Sequence, residues 1–408
     1  MTQSQSQTST SASPLALEGI RVLDFSRVLA GPFCGTLLAD MGADVLKIED
    51  AEKGDESRTW LPQKNGQSAA YIANNRNKRG LAVNLKSPEG VEIIRRLCAS
   101  ADVLIENFRT GTMESFGLGY EELSKLNPRL IYCSVSAFGR VGPRANEGGY
   151  EALMQAFCGI MSITGEPDGA PVRAGVSFID LATGALCAFG IVSSIQLRAR
   201  TGVGQRVDGS LLGTATNMLN FQAGGYLMTG EVPRALGSAH PAIAPYRNFR
   251  CRDGQWIFIA GANDRLTGRL LTALGLAHLC QDPRFVTNAD RVRNRVEIDR
   301  LVAQAIAEHD RPALLQLLDD AAFPAAPVNT VDQAFADPQT RAMDLIWQMQ
   351  HPQAGAIDVV GFPVSFSGMQ PRVRMASPGQ GQHTDEALRE IGYTDLQIRS
   401  LRDRAIVK

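Results

Sequence analysis

Asp180 is the residue whose surroundings best suit covalent chemistry. It stands at the head of an uncharged, helix-like stretch, 181–197, and is flanked by Ile179 and Leu181. An acid in the first turn of a helix often serves as a structural cap. Stripped of water by apolar neighbours, the same acid would be a poised carboxylate nucleophile. Spacing alone does not choose between these roles. A second concentration of chemistry lies upstream, where Ser57 to Pro88 holds six basic residues (Arg58, Lys64, Arg76, Lys78, Arg79 and Lys86) and no acid. This stretch reads either as a solvated basic face or as a phosphate site, because Asn75, Arg76, Asn77, Lys78 and Arg79 gather amide and cationic donors beside a strand.

Absent motifs narrow the chemistry. No GxGxxG follows the first strand, no GxxxxGK[ST] occurs, and no HExxH or paired-cysteine spacing appears. Dinucleotide, ATP and zinc chemistry therefore lose their support, and no metal site is expected. Residues 175–178 lack the second glycine of a serine nucleophile elbow. Over 408 residues, 41 Lys and Arg balance 42 Asp and Glu, so no global field favours nucleic acid. Seven cysteines without CxxC spacing read as reduced thiols in a cytoplasmic enzyme. The Ser/Thr/Gln-rich residues 1–16 read as a disordered lead-in, not a signal peptide. The stretch 181–197 approaches the length of a membrane span, but Thr183, Gly184, Gly190, Ser193, Ser194 and Gln196 interrupt it. A buried helix is the better reading, and no membrane partner is expected.

The elements that must position these residues are legible in outline. Apolar, β-branched runs at 20–25, 44–48, 81–85, 103–105 and 130–135 alternate with helical patterns at 32–41 and 87–100. Such alternation predicts an α/β fold, a parallel sheet covered by helices. Ser87, Pro88 and Glu89 open the second helix well, as N-cap, first helical residue and first-turn acid. A glycine-rich turn at 201–205 leads to a further strand, so a large Rossmann-like domain is expected over 17–223. Short β-like runs at 246–251 and 255–259 precede helical stretches at 264–275 and 295–319, a smaller α+β domain over 224–328. A Pro/Ala-rich link, 323–327, ends it, and 329–408 returns to the large domain.

Several short motifs occur in one order: Val22-Leu23-Asp24-Phe25, Ala30-Gly31-Pro32, the run 38–49, Gly54-Asp55, Asn77-Lys78-Arg79, Glu106-Asn107-Phe108-Arg109, 126–129, 202–205 and 381–384. Together they resemble the family III coenzyme A transferases, the CaiB/BaiF family, across about residues 17–393. The resemblance implies that Asp180 is the catalytic aspartate and that the basic run meets phosphates. It implies coenzyme A contacts at Lys86, Asn107 and Phe108 and along the Val28–Ala30 backbone, with Arg109 available to a phosphate. Lys47, Arg79 and Tyr150 join these as candidate coenzyme-binding residues. Asp50 and Ser115 replace arginines, and Leu29 an active-site glutamine, of members that act on formyl-CoA.

Glu151 separates branches of the family. Racemases of this fold carry a proton-transfer histidine here, whereas Tyr150-Glu151 resembles the transferase pattern. A carboxylate that merely holds a backbone turn is the alternative role for Glu151. The resemblance further implies an interlocked homodimer, no prosthetic group, and coenzyme A thioesters as substrate and product. Its chemistry would run through aspartyl anhydride and aspartyl-CoA thioester intermediates, with N–H groups of the 261–264 loop, including Gly261 and Asn263, around the oxyanions. Residues 237–246, Asn288 and 291–295 resemble the members that pair succinyl-CoA with itaconate, mesaconate, citramalate or glutarate. His240 or Arg247 would then meet the free carboxylate. A racemase or isomerase, or a non-catalytic CoA-binding protein, are the competing functions.

Overall fold

The computed structural model describes residues 14–408, so most of the expected 1–16 lead-in lies outside the described residues. The chain forms two compact units. The first comprises the described residues up to Cys158 together with Gly175–Ala223 and Arg341–Lys408; the second comprises Gly159–Ala174 and Gly224–Thr340.

The first unit is built on six strands: β1 (Arg21–Asp24), β2 (Asp44–Asp50), β3 (Lys78–Val83), β4 (Val103–Glu106), β5 (Ile131–Ser136) and β6 (Arg206–Ser210). They lie in the order β3-β2-β1-β4-β5-β6, every pair parallel. This is the doubly wound order, which reverses direction between β1 and β4. The apolar runs are continuous because a parallel sheet is covered on both faces, and Val22, Val45, Leu81, Leu104 and Cys133 are all buried. Ser87 caps α2 (Pro88–Cys98), its hydroxyl accepting from the Gly90 N–H at 2.9 Å.

Two other helices set the site. α1 (Ala30–Asp40) follows β1, and α4 (Phe178–Thr201) crosses it, with α3 (Glu151–Phe157) between them in sequence. Gly184 makes the crossing possible, since a Cβ there would lie 2.5 Å from the Ala30 carbonyl oxygen. α4 is long and apolar enough to span a membrane by composition. One face of it packs into the first unit, where Ile179, Thr183, Cys187, Ile191 and Ser194 are buried and Arg198 is anchored to Asp102 at 2.7 Å, while Leu186 and Phe189 are exposed. The C-terminal segment closes the sheet edge, where Val407 bridges Val83 and the Gly80 N–H donates to His383 Nδ1 at 3.0 Å.

In the second unit, Tyr246–Arg250, Trp256–Ala260 and Ala325–Pro327 form an antiparallel sheet. The Pro/Ala-rich link expected at 323–327 is thus partly an edge strand, a place where proline's missing N–H is harmless. The helical stretch expected over 295–319 is two helices, Arg295–Ile306 and Arg311–Asp320. The unit also extends past residue 328 to Thr340 and takes in Gly159–Ala174, tied by the Gly237 N–H to the Gly165 carbonyl at 2.8 Å. Ile257, Ile259, Leu270, Ile298, Val302 and Leu314 form its core.

Candidate active site

Loops at the carboxyl ends of β1, β4 and β5 border a cavity of about 300 Å³, lined by residues 27–30, 107–110, 135–137 and 147–151 with Asp180 and Leu211. It lies at the switch point between β1 and β4, where open α/β sheets bind ligands. Of the residues singled out in the sequence, Val28, Ala30, Asn107, Phe108, Arg109, Tyr150, Glu151 and Asp180 meet there.

Asp180 occupies the first turn of α4, and no side chain caps that helix. The capping role therefore does not apply. Burial, and then repulsion by the Glu151 carboxylate, push the Asp180 carboxyl up to about 7. Glu151 is buried at the start of α3, where Gln155 Nε2 donates to it at 2.6 Å. Asp180 and Glu151 thus share one cavity, whose lining also includes the carboxylates of Glu56 and Glu147.

The β1–α1 turn is held from several sides. The Ser26 N–H donates to Asp24 Oδ1 at 3.0 Å, and the Asn107 side chain clamps the Arg27 backbone with two bonds of 2.8 Å. The polar atoms of Asn107 are therefore committed to the turn. Glu106 accepts from the Phe108 N–H at 2.8 Å and from Arg140 at 2.8 Å, which fixes the β4 loop. Val28 adopts φ 70, a left-handed conformation that costs a β-branched residue on the order of 1–3 kcal/mol.

Most of the basic run is engaged by acids of this chain. Arg58 pairs with Glu49 at 2.6 Å, Arg76 with Asp40 at 2.6 Å, Lys78 with Asp24 at 2.8 Å, and Lys64 donates to the Ala356 carbonyl at 2.8 Å. Arg79 is engaged by Asp44 at 2.8 Å, Glu386 at 2.8 Å and Glu390 at 2.7 Å. Lys47 does not reach the cavity either: its wholly buried ammonium pairs with Asp55 at 2.9 Å and donates to the Ser26 carbonyl. Burial alone would lower the Lys47 ammonium, but Asp55, Asp24 and Glu49 raise it. Burial would likewise raise Asp55, yet the Lys47 ammonium and the Ser57 donors bring it down to about 2. Acids brought in from other strands and from the C-terminal helices neutralise the run. Lys86 is exposed, without an ion pair among the described residues, and outside the cavity lining.

The cations that do face the cavity are Arg27 and Arg109, and neither is in an ion pair among the described residues. Sequence reasoning passed over Arg27. Its signal was its place, just beyond the first strand of a doubly wound sheet; its guanidinium lies 5.1 Å from the centre of the Phe108 ring.

The remaining candidates belong to the second unit. His240 Nδ1 accepts from the Ala242 N–H at 3.1 Å, and Arg247 pairs with Asp299 at 3.4 Å. Asn263 caps the helix Asp264–Ala273 through the Leu266 N–H at 2.9 Å. The Gly261 N–H is bonded to the Pro245 carbonyl at 3.2 Å, and that of Ala262 to Ala260 at 2.8 Å. These two donors are thus already engaged within the loop. Arg291 is a core residue, bonded to the Ala244 carbonyl at 2.8 Å and to Asp264 at 2.6 Å.

A doubly wound sheet with a cavity at its switch point, walled in part by a buried carboxylate, has the layout of an α/β enzyme site. Residues 17–384 match the CoA-transferase family III, and the chain belongs to that family. It is 40% identical to the succinate–glutarate CoA-transferase of Agrobacterium fabrum over 92% of this chain and 95% of that protein. It is 37% identical to the succinyl-CoA:glutarate CoA-transferase of Homo sapiens, over 96% of this chain and 90% of that protein. A CaiB/BaiF family protein from Brucella suis superimposes with a TM-score of 0.83 at 40% identity, covering 93% of this chain and all of that one.

Proposed function

We propose that this CoA-transferase moves coenzyme A from succinyl-CoA to a small dicarboxylate, glutarate first among the candidates, through covalent intermediates on Asp180. The activities for which the Agrobacterium and human relatives are named support the donor and acceptor. The observation that carries the mechanism is the uncapped Asp180 carboxylate facing the cavity.

An Asp180 oxygen attacks the thioester carbonyl and expels CoA thiolate, leaving a succinyl-aspartyl anhydride. The thiolate attacks the aspartyl carbonyl, which forms the Asp180-CoA thioester and releases succinate. The acceptor carboxylate attacks that thioester, re-forms an anhydride and frees the thiolate, which then takes the acceptor acyl group and returns Asp180 as carboxylate. No net proton is exchanged, and one thioester replaces another. Arg27 and Arg109 supply charge for the coenzyme phosphates, with Lys86 as a further contact. Phe108, Val28 and Ala30 line the pantetheine. His240 or Arg247 receives the free carboxylate of the acceptor. The assembly is a homodimer, supported by apolar side chains exposed in the single chain, such as Phe189 at 72% and Leu227 at 79%.

The test is the purified protein with succinyl-CoA and, in turn, glutarate, mesaconate, citramalate and itaconate, with acyl-CoA products followed by mass spectrometry. Transfer to at least one acceptor is expected, from a particle of twice the 44.0 kDa chain mass. Hydrolysis without transfer across the whole panel would sink the proposal.

The Glu151 carboxylate gives a second check. Asp180 attacks only when ionised, so kcat/KM should fall as pH drops below about 7. Glu151→Gln removes the repelling charge and can keep the Gln155 hydrogen bond. Its acid limb should move to lower pH, with a roughly several-fold gain relative to its own plateau one unit below the wild-type limb. An unmoved limb would show that Glu151 does not act on Asp180.

A further inference from the structure

We propose that Lys47 and Asp55 are a buried positioning pair that holds the left-handed Val28 turn and so sets affinity for the coenzyme A portion of the substrate. The inference rests on the reading above that the Val28–Ala30 backbone lines the pantetheine.

Neither residue lines the cavity, so any influence on substrate passes through the turn. Each end of the pair grips it at a different point. Lys47 Nζ donates to the Ser26 carbonyl, and Asp55 Oδ1 accepts from the Val28 N–H at a long 3.4 Å. Asp55 is fixed in turn by the Ser57 N–H at 2.9 Å, the Ser57 hydroxyl at 2.7 Å and, through its own N–H, Glu49 at 2.8 Å. Both side chains of the pair are wholly buried.

Stability does not explain the pair by itself. Desolvating two charges cancels much of their attraction, so an apolar pair of equal volume would serve a core as well. An apolar pair could not donate to the Ser26 carbonyl or accept from the Val28 N–H. Those two bonds fix the two successive peptide groups that lead into Val28, the one described residue of the cavity wall that is both β-branched and left-handed. A valine keeps such a conformation only where its surroundings over-determine it. Gly31 belongs to the same device: a Cβ there would come within 2.2 Å of the Ser26 Cβ, so the turn folds directly onto the start of α1.

The test compares wild type, Lys47→Met/Asp55→Leu, Val28→Gly, and the triple variant. The readouts are CoA binding by calorimetry and the KM and kcat for succinyl-CoA. The double variant removes both charges and strands neither. Its KM should rise about 10-fold while kcat changes by less than about 3-fold, the pattern of lost ground-state binding. Glycine adopts positive φ without outside restraint, so the triple variant should have a KM within about 3-fold of Val28→Gly alone, whatever the lost valine side chain itself costs in binding. A role in folding alone would not be cancelled in this way. A folded double variant with unchanged KM, or a triple variant whose KM stays raised over that of Val28→Gly, overturns the proposal. Should Lys47→Met/Asp55→Leu not fold, Lys47→Met/Asp55→Asn, which also removes both charges but keeps an acceptor for the Val28 and Ser57 donors, takes its place with the same comparison. Failure of the underlying reading looks different, because wild type itself would then bind no CoA.

Discussion

Asp180→Asn is expected to lower kcat for CoA transfer by about 10⁴-fold or more while making the folded protein more stable at about pH 8. The loss follows from the chemistry, since an amide neither attacks a thioester nor forms an anhydride. The gain follows from the environment. Burial and Glu151 raise the Asp180 carboxyl to about 7, above its value near 3.8 in an unfolded chain. A carboxyl raised by folding binds its proton more tightly in the folded state, so it lowers stability as pH climbs from about 4 to 7, and the penalty is complete above 7. Asparagine carries no such penalty. Chemical denaturation should therefore show the variant ahead of wild type by one to a few kcal/mol at about pH 8 and level with it near pH 4. A variant that retains substantial transfer would remove Asp180 from the mechanism. A variant equally stable at both pH values would mean that the carboxylate is not strained in its site.

Lys78→Met should destabilise the first unit by about 3–5 kcal/mol, the usual cost of leaving one member of a buried ion pair alone. The Lys78 ammonium is fully buried and donates to Asp24 at 2.8 Å, the Pro32 carbonyl at 2.8 Å, the Asn74 carbonyl at 2.8 Å and Asn75 Oδ1 at 3.1 Å. Methionine matches the volume but satisfies none of these acceptors and leaves the Asp24 carboxylate without its cation. The pair lies directly under α1, where a Cβ on Gly35 would sit 2.6 Å from Asp24 Oδ2. Urea unfolding of Lys78→Met, Asp24→Asn and the double variant checks the coupling. The double variant should lose clearly less than the sum of the singles, because the stranded charge is gone. Strict additivity would mean that the two side chains do not act as a pair.

Much of the architecture was legible in the sequence for local reasons. The runs near 22, 45, 81, 104 and 132 announced buried parallel strands because both faces of such a sheet are covered. Ser87-Pro88 announced a helix start because capping uses only neighbours in the chain. Asp180 stood out for a similar reason, an isolated acid ahead of a long uncharged segment. Its local setting left cap and nucleophile both open; in the fold no side chain caps the helix and the Asp180 carboxyl lines the cavity. That the Glu151 carboxylate shares the cavity with Asp180 is a fact about residues 29 positions apart in sequence.

The basic stretch shows where local reading stops. Residues 57–88 hold six cations and no acid, yet Glu49, Asp40, Asp24, Asp44, Glu386 and Glu390 meet four of them in space. Strand order brings those acids in, since β3 lies beside β2 and the C-terminal helices return to its edge. Lys47, a candidate ligand contact by sequence, is likewise paired in space, with Asp55 at 2.9 Å. By itself the sequence determined which segments are strands and helices and which acid could act as a nucleophile, because propensity, capping and hydrophobic period depend on near neighbours. Tertiary structure decided which charges remain available to a ligand, because Coulomb interactions in a buried site depend on distance in space, and the sheet sets those distances.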